Sequence, residues 1–206
     1  MQERRKNSVL AGLGVYGLLL SFTLGIVLKG EISPKTWIGG YWIIQLFVSV
    51  NAVAKSFMSE TEGQKNYLYQ LARPQTLVLA KMVYNAGLML LLAWFTLITY
   101  SLFLPHPFVS LGWFWLISGL GGIGLGIGMT LISALVSAAG NNAVLMAILS
   151  IPVMLPQVLM LIGLSKALFL DTLFQTGGLL MFGFFFGIQL LSVLLTLLLF
   201  PFLWSD

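Results

Sequence analysis

The residues best suited to ion pairing or catalysis are concentrated in one polar interval, residues 57–74. Only 8% of the chain is charged, so this interval is its main water-facing patch. Acids and bases mixed in this way can pair with complementary charges on a partner protein, which makes the interval the first candidate for a functional surface. The charged residues in the interval or just outside it are Glu60, Glu62, Lys65, Arg73, Lys55 and Lys81.

Apolar residues within the polar interval recur at helical spacing and predict a short amphipathic helix at the membrane surface. They are Tyr67, Leu68, Leu71 and Ala72, and the polar residues between them face elsewhere. Pro74 is expected to end this helix, because the residue before a proline is disfavoured in the α region. The alternative is a solvated loop that only joins two helices.

A histidine and a glycine-rich run are the other motifs that suggest chemistry, and both have plainer structural interpretations. His106 lies between two prolines with no second ligand nearby, which favours a turn residue over a metal or haem ligand, and no metal site is predicted. Residues 119–128 contain the letters of a dinucleotide-binding fingerprint. That fingerprint requires a preceding strand and an acid about 20 residues later, whereas this run lies inside an apolar stretch.

The same glycines predict close packing between helices. Gly122 with Gly126, or Gly124 with Gly128, form small-xxx-small faces that allow another helix to approach closely. A helix with so many glycines is also expected to be bendable.

Two prolines predict a bend in a later apolar stretch. Pro152 and Pro156 each remove a backbone hydrogen bond. Gln157 is expected to lie near the carbonyl groups that lose their donors. The bend is either a hinge that moves during function or a fixed feature of the helix.

Membrane spans are the elements that must position these residues. The chain has 206 residues, 59% of them hydrophobic, and a mean hydropathy of +1.00. Soluble domains carry about 25% charged residues, so we predict an integral membrane protein. At about 20 residues for each span, the length allows about six spans and no sizeable soluble domain. An ATP-binding domain would therefore belong to a partner, and the absence of cysteine excludes disulfides and thiolate ligands.

The predicted fold is an all-α bundle of six transmembrane helices with both termini in the cytoplasm. Basic residues set this orientation, because cytoplasmic loops are enriched in Lys and Arg. Seven lie on the predicted inner side and three on the outer side. No acidic residue falls inside the spans, which argues against an intramembrane enzyme. The predicted spans are 8–28, 36–57, 76–104, 111–137, 143–164 and 178–200, with a cytoplasmic loop at 58–75.

Span two carries aromatic and polar side chains that call for separate interpretations. Trp37, Tyr41 and Trp42 are expected to form part of the aromatic belt at the membrane surface. Polar side chains at membrane depth should face protein rather than lipid. Those of span two are Gln45, Ser49, Asn51 and Ser56.

Several runs together resemble one family. They are residues 49–57 (SVNAVAKSF), 71–74 (LARP), 79–81 (LAK), 132–135 (ISAL), 139–152 (AGNNAVLMAILSIP) and 199–204 (LFPFLW), with Glu60 and Gly63 between the first two. The pattern is similar to that of haem exporter protein B (CcmB), the permease subunit of the cytochrome c maturation system, in its Bacteroidetes-like branch. The likeness covers nearly the whole chain. Members of that family usually begin with an amphipathic segment before the first span, whereas only residues 1–7 precede it here.

The resemblance implies an ABC-2-type exporter membrane domain in the bacterial inner membrane. Its loop between spans two and three would dock onto an ATPase subunit (CcmA), which binds the ATP. A haem-handling subunit (CcmC), a single-span subunit (CcmD) and, indirectly, a haem chaperone would be further partners. Haem would be handled or transported, and no cofactor is expected to be bound directly. The second membrane half would be another copy or the haem-handling subunit.

The resemblance also implies roles for individual residues of the loop. An apolar plug would enter the ATPase subunit, with Glu60 and Glu62 as its charged rim, and Lys81 would reach towards the lipid headgroups. The alternative is a scaffold that holds the maturation complex together without transport. The plug residues are Tyr67, Leu68, Tyr69 and Leu71, and the remaining loop positions are Gly63, Arg73 and Pro74.

Overall fold

A computed structural model describes the chain at residues 2–28, 32–58, 74–105, 107, 111–138 and 143–203. All of its regular structure in these ranges is α-helical, and they contain no strand. The all-α prediction is therefore confirmed. The helices are α1 (Gln2–Val27), α2 (Pro34–Met58), α3 (Pro74–Phe103), α4 (Leu111–Ala138), α5 (Ala143–Phe169) and α6 (Thr176–Leu203).

Five of these helices are long and apolar enough to cross a membrane. The apolar stretches are Pro34–Val53, Gln75–Phe103, Gly112–Ser137, Val144–Phe169 and Gly177–Leu199, while the described part of α1 contributes a shorter one, Gly12–Val27. Large apolar side chains also cover the outside of the bundle, for example Val83, Leu102 and Leu198, which are 63–76% exposed. An apolar exterior of this extent suits lipid rather than water. These features support a multi-pass membrane protein.

Helix α4 lies at the centre of the bundle. It packs against α2, α3, α5 and α6, whereas α1 packs only beside α2 and α3. Burial follows the same order, since 78% of the apolar stretch of α4 is buried but only 22% of that of α6. The glycine-rich sequence is therefore the element that the other helices surround.

Successive spans run in opposite directions, so the connections divide between two ends of the bundle. Tyr100 Oη near the end of α3 donates to Trp37 O at the start of α2, at 3.1 Å. Asn85 near the start of α3 donates to Thr130 near the end of α4, at 3.0 Å. The end of α2, the start of α3 and the end of α4 therefore lie at one end of the bundle. The start of α2, the end of α3 and the turn 170–175 that follows α5 lie at the other.

Helix α5 continues past the predicted end of span five. Residues 165–177 were expected to form a loop, but Ser165 and Lys166 lie inside the helix, which ends at Phe169. Asp171 has a φ of 55°, and Thr172 N donates to Ala167 O at 2.8 Å. This pattern is a Schellman cap. The cap ends the helix here, and a basic residue such as Lys166 is favourable in a last helical turn.

Candidate functional site

Most of the predicted loop residues lie outside the described part of the chain. Pro74 is the first residue of α3. Proline suits this position because an N–H there would have no hydrogen-bond partner within the helix. Lys81 is half-buried on the same helix. The roles proposed for the other positions stay predictions. Outside the described residues are Glu60, Glu62, Gly63, Tyr67, Leu68, Tyr69, Leu71 and Arg73, together with His106.

The geometry around the polar interval is nevertheless defined by its two flanking helices. Helix α2 ends at Met58, and α3 begins at Pro74. The two helices pack against each other, and both also contact α1 and α4. Because they run antiparallel, residues 59–73 join two neighbouring helices at one end of the bundle. A force applied to this connection would act on both helices directly.

The aromatic residues at the start of α2 are buried in the core, so the prediction of an aromatic belt is wrong for them. Trp37, Tyr41 and Trp42 are all 0% exposed. Trp37 meets Tyr100 edge-on at 4.9 Å between ring centroids, and Tyr41 meets Phe114 edge-on at 5.3 Å. Edge-to-face pairs at these distances are favourable. These side chains face inward because α3 and α4 supply rings to pack against.

Hydrogen bonds connect this aromatic cluster to three other helices. Tyr41 Oη donates to Ala93 O of α3 at 3.1 Å and also pairs with the hydroxyl of Ser118 in α4. Gln45 Nε2 donates to Tyr41 Oη at 3.0 Å. Trp42 Nε1 donates to Ser165 Oγ of α5 at 2.9 Å. Satisfied polar groups of this kind hold helices together where no water competes. We call these contacts the Tyr41 network.

The polar residues expected to face protein on α2 divide into two groups. Gln45 and Ser49 are fully buried, as predicted. Asn51 is exposed on the outside of the bundle, and its Nδ2 donates to Phe47 O of the same helix at 2.9 Å. Within this single chain, the prediction that Asn51 faces protein is therefore wrong. The side chain of Ser56 lies outside the described residues.

Both glycine pairs of α4 make close contacts, each with a different neighbour. A Cβ atom at Gly122 would lie 2.7 Å from the backbone oxygen of Met89 in α3, and one at Gly126 would lie 2.9 Å from that of Asn85. Such distances are shorter than real side chains allow, so these glycines let the two backbones approach closely. This is the kind of contact that small-xxx-small spacing permits.

The second pair of glycines receives two amide side chains. A Cβ atom at Gly124 would lie 2.6 Å from Gln189 Nε2 of α6, and one at Gly128 would lie 2.6 Å from Gln157 Nε2 of α5. Because Gly124 and Gly128 are one helical turn apart, the two amides reach the same face of α4 about 6 Å apart along its axis. We call this arrangement the glutamine–glycine face.

Neither glutamine of this face has a hydrogen-bond partner. Gln157 is 0% exposed and Gln189 is 8% exposed, and the nitrogen and oxygen of both amides are unpaired. Gln157, which was expected to lie near the carbonyl groups freed by the prolines of α5, therefore makes no hydrogen bond with them. Unpaired buried amides are costly. An amide side chain inside an otherwise mostly apolar span is the sequence signal that points to Gln189.

These contacts define what the described residues can do. They contain no group of three or more His, Asp or Glu side chains able to hold a metal ion. Their polar centre consists of amides, hydroxyls and backbone carbonyls, which can join helices by hydrogen bonds. The fold and the site together define this chain as a multi-pass helical membrane protein with a glycine-lined central helix. Comparisons with protein-family models, curated proteins and solved structures found no match.

Proposed function

We propose that this chain is the membrane (permease) subunit of an ABC transporter complex that serves haem export or delivery in cytochrome c biogenesis. In this role it couples ATP hydrolysis by a separate ATPase subunit to release of the haem-loaded chaperone. One observation carries the proposal: the longest polar interruption between the apolar stretches of the chain joins two helices that pack against each other. A partner that moves this segment moves α2 and α3 together.

The distribution of basic residues supports a cytosolic position for that segment. In the predicted topology, seven of the ten Lys and Arg residues lie on the same side as residues 59–73, and three lie on the other side. By the positive-inside rule, the end with more basic residues is cytoplasmic. An ATPase subunit in the cytosol would therefore meet the polar interval. The three residues at the other end are Lys29, Lys35 and Lys166.

Coupling requires the ATPase to bind two states of the membrane subunit differently. In the proposed mechanism, Tyr67, Leu68, Tyr69 and Leu71 fill a groove in the ATPase, with Glu60 and Glu62 as the rim. Closure of the ATPase on ATP then displaces α2 and α3. Because Gly122 and Gly126 hold α4 against the α3 backbone, α4 follows and changes its packing on α5 and α6. The unpaired amides of the glutamine–glycine face favour such a second packing.

The test of this proposal is whether the polar interval holds the ATPase subunit. Leu71→Asp and Tyr69→Asp place a charge in the apolar plug, and loss of a buried anchor of this type weakens an interface by about 2 kcal/mol or more, at least about tenfold. We expect both variants to lose the ATPase on purification in native lipids and to lose mature cytochrome c. Haem in the purified complex reports separately on the transported species.

Leu170→Asp is the matched control. Leu170 is 66% exposed and lies in the turn at the opposite end of the bundle, so the same change there should retain the ATPase. If Leu71→Asp and Tyr69→Asp retain it as well as Leu170→Asp does, the chain is a scaffold for the maturation complex and not a coupled permease.

A further inference from the structure

Helix α6 carries three polar side chains on its buried side, although most of its surface is exposed. Only 22% of its apolar stretch is buried, the lowest share among the five stretches of span length. Gln189, Ser192 and Thr196 are nevertheless only 8%, 4% and 1% exposed. Their spacing of three and four residues places them on one side of the helix. We call these three residues the α6 polar face.

The polar groups of this face are only partly satisfied within the chain. Ser192 Oγ donates to Ile188 O at 2.9 Å, and Thr196 Oγ1 donates to Ser192 O at 2.7 Å. These bonds use the single donor of each hydroxyl and leave its lone pairs to accept others. The amide of Gln189 is unpaired at both its nitrogen and its oxygen. At membrane depth such a group needs a partner in the protein or a water molecule.

Contacts with α4 show where the α6 polar face lies in the bundle. Gln189 Nε2 approaches Gly124, and further along both helices Leu197 packs against Ala134. The two helices are therefore parallel, and α6 ends at the same end of the bundle as α4. The α6 polar face thus runs from the glutamine–glycine face towards the end at which residues 59–73 join α2 to α3.

Further unpaired polar atoms lie at both ends of this face. At its deep end, Gln157 of α5 is 0% exposed and has an unpaired amide. At its shallow end, Ser133 of α4 is 1% exposed and has an unpaired Oγ. Ser133 and Thr196 directly precede the contacting residues Ala134 and Leu197, so they lie at similar depth. The unpaired groups therefore follow one line into the centre of the bundle.

We propose that the α6 polar face binds a row of water molecules, which enters at the end of the bundle where α6 ends and reaches Gln157 and Gln189 when α6 shifts on α4. Water fits this chemistry because amides and hydroxyls offer both donors and acceptors without charge. A buried water typically makes about three hydrogen bonds to groups of this kind. The inference goes beyond the proposed function and uses it only for the force that moves α6.

Single cysteines test water access, because the chain has no cysteine of its own. Ser192→Cys is a conservative change on the α6 polar face. Leu194→Cys is the matched control on the outward side of the same helix, where Leu194 is 48% exposed. A small water-soluble thiol reagent is applied to opened membranes. The reactive thiolate forms in water rather than in hydrocarbon, so we expect Ser192→Cys to react at least about tenfold faster than Leu194→Cys.

Depth alone predicts the opposite order of reaction, since Leu194 lies nearer than Ser192 to the end of α6. Equal rates, or a faster reaction of Leu194→Cys, would overturn the inference. The hydroxyls of the α6 polar face would then serve only to bond their own helix.

Hydrogen–deuterium exchange of the unmodified chain is a second measurement, which no substitution can disturb. Water on the α6 polar face should let the backbone amides of residues 189–198 exchange faster than those of residues 179–186. Residues 179–186 lie closer to an end of α6 than residues 189–198 do, so fraying of the helix favours the opposite order. Equal protection of the two segments, or faster exchange of residues 179–186, would contradict the water site.

Both measurements are made without the ATPase subunit, so they separate the inference from the proposed function. Fast modification of Ser192→Cys, together with an ATPase that Leu71→Asp retains, would keep the water site and reject the coupled permease. Slow modification of Ser192→Cys, together with an ATPase that Leu71→Asp loses, would keep the permease and reject the water site.

Discussion

The Tyr41 network and the glutamine–glycine face are two polar regions in one bundle, and they are satisfied to very different degrees. In the first, the hydroxyl of Tyr41 and the Nε2 of Gln45 bond groups on neighbouring helices. In the second, both amides press against glycines and have no hydrogen-bond partner. Both regions are buried, with Tyr41, Gln45 and Gln157 0% exposed and Gln189 8% exposed, so burial alone does not account for the contrast.

The difference suggests a division of labour within the bundle. Where the Tyr41 hydroxyl and the Gln45 Nε2 have partners, moving a helix breaks several bonds, and α2, α3 and α4 are held together, although Gln45 Oε1 is unpaired. Where amides have no partner, a shift of α6 against α4 breaks no hydrogen bond of either glutamine and can form new ones, whereas α5 is also held to α2 by the bond from Trp42 to Ser165. The glutamine–glycine face is therefore the region in which rearrangement meets the least resistance.

The largest expected effect is at the glycines that hold α3 on α4. Gly122→Val would place methyl groups where even a Cβ atom lies 2.7 Å from Met89 O, so the helices must separate. Overpacking of this kind destabilises by about 1–3 kcal/mol or more, and we expect a sharp loss of folded protein and a lower melting temperature in detergent. Gly183→Val is the control, since nothing lies within 4 Å of a Cβ atom at Gly183. Equal stability of the two variants would contradict the close contact.

A smaller effect, of opposite sign in the two regions, is expected when glutamine is replaced by methionine. Gln45→Met removes the donor to Tyr41 Oη and Ala93 O and should destabilise by about 0.5–2 kcal/mol. Gln157→Met removes an unpaired amide and should leave stability unchanged or raise it. Melting temperatures of the two variants in one detergent measure this. If both fall equally, the contrast between the regions is wrong.

The helical fold follows from the sequence because hydrocarbon leaves the backbone few options. Apolar runs of span length must be helices, and the glycine spacing in α4 indicates packing faces. The sequence does not show which glycine pair of α4 packs closely against a neighbouring helix. Both pairs do, because α4 has neighbouring helices on several sides. The end of α5 was misplaced for a local reason. The loop was expected from Ser165 onward, but the Schellman cap at Asp171 sets the boundary.

The polar and aromatic site residues were harder to predict because their partners are distant in sequence. Trp37 and Tyr41 have the composition of an aromatic belt, and only the rings and carbonyls of α3 and α4 make them core residues. Gln157 was expected to lie near freed carbonyls of its own helix, and its amide contacts Gly128 of α4 without a hydrogen bond. The functional roles of the polar interval were predicted from its charge, its position and the family resemblance.

The measurement that tests the central claim most directly is the side of the membrane on which the polar interval lies. Single cysteines are introduced at Gln64→Cys, in the interval, and at Leu170→Cys, in the turn at the opposite end. A thiol reagent that does not cross the inner membrane is then applied to intact cells. The proposed permease predicts labelling of Leu170→Cys at once and of Gln64→Cys only after the membrane is opened. Labelling of Gln64→Cys in intact cells would place the interval beyond the reach of a cytosolic ATPase and contradict the proposed function.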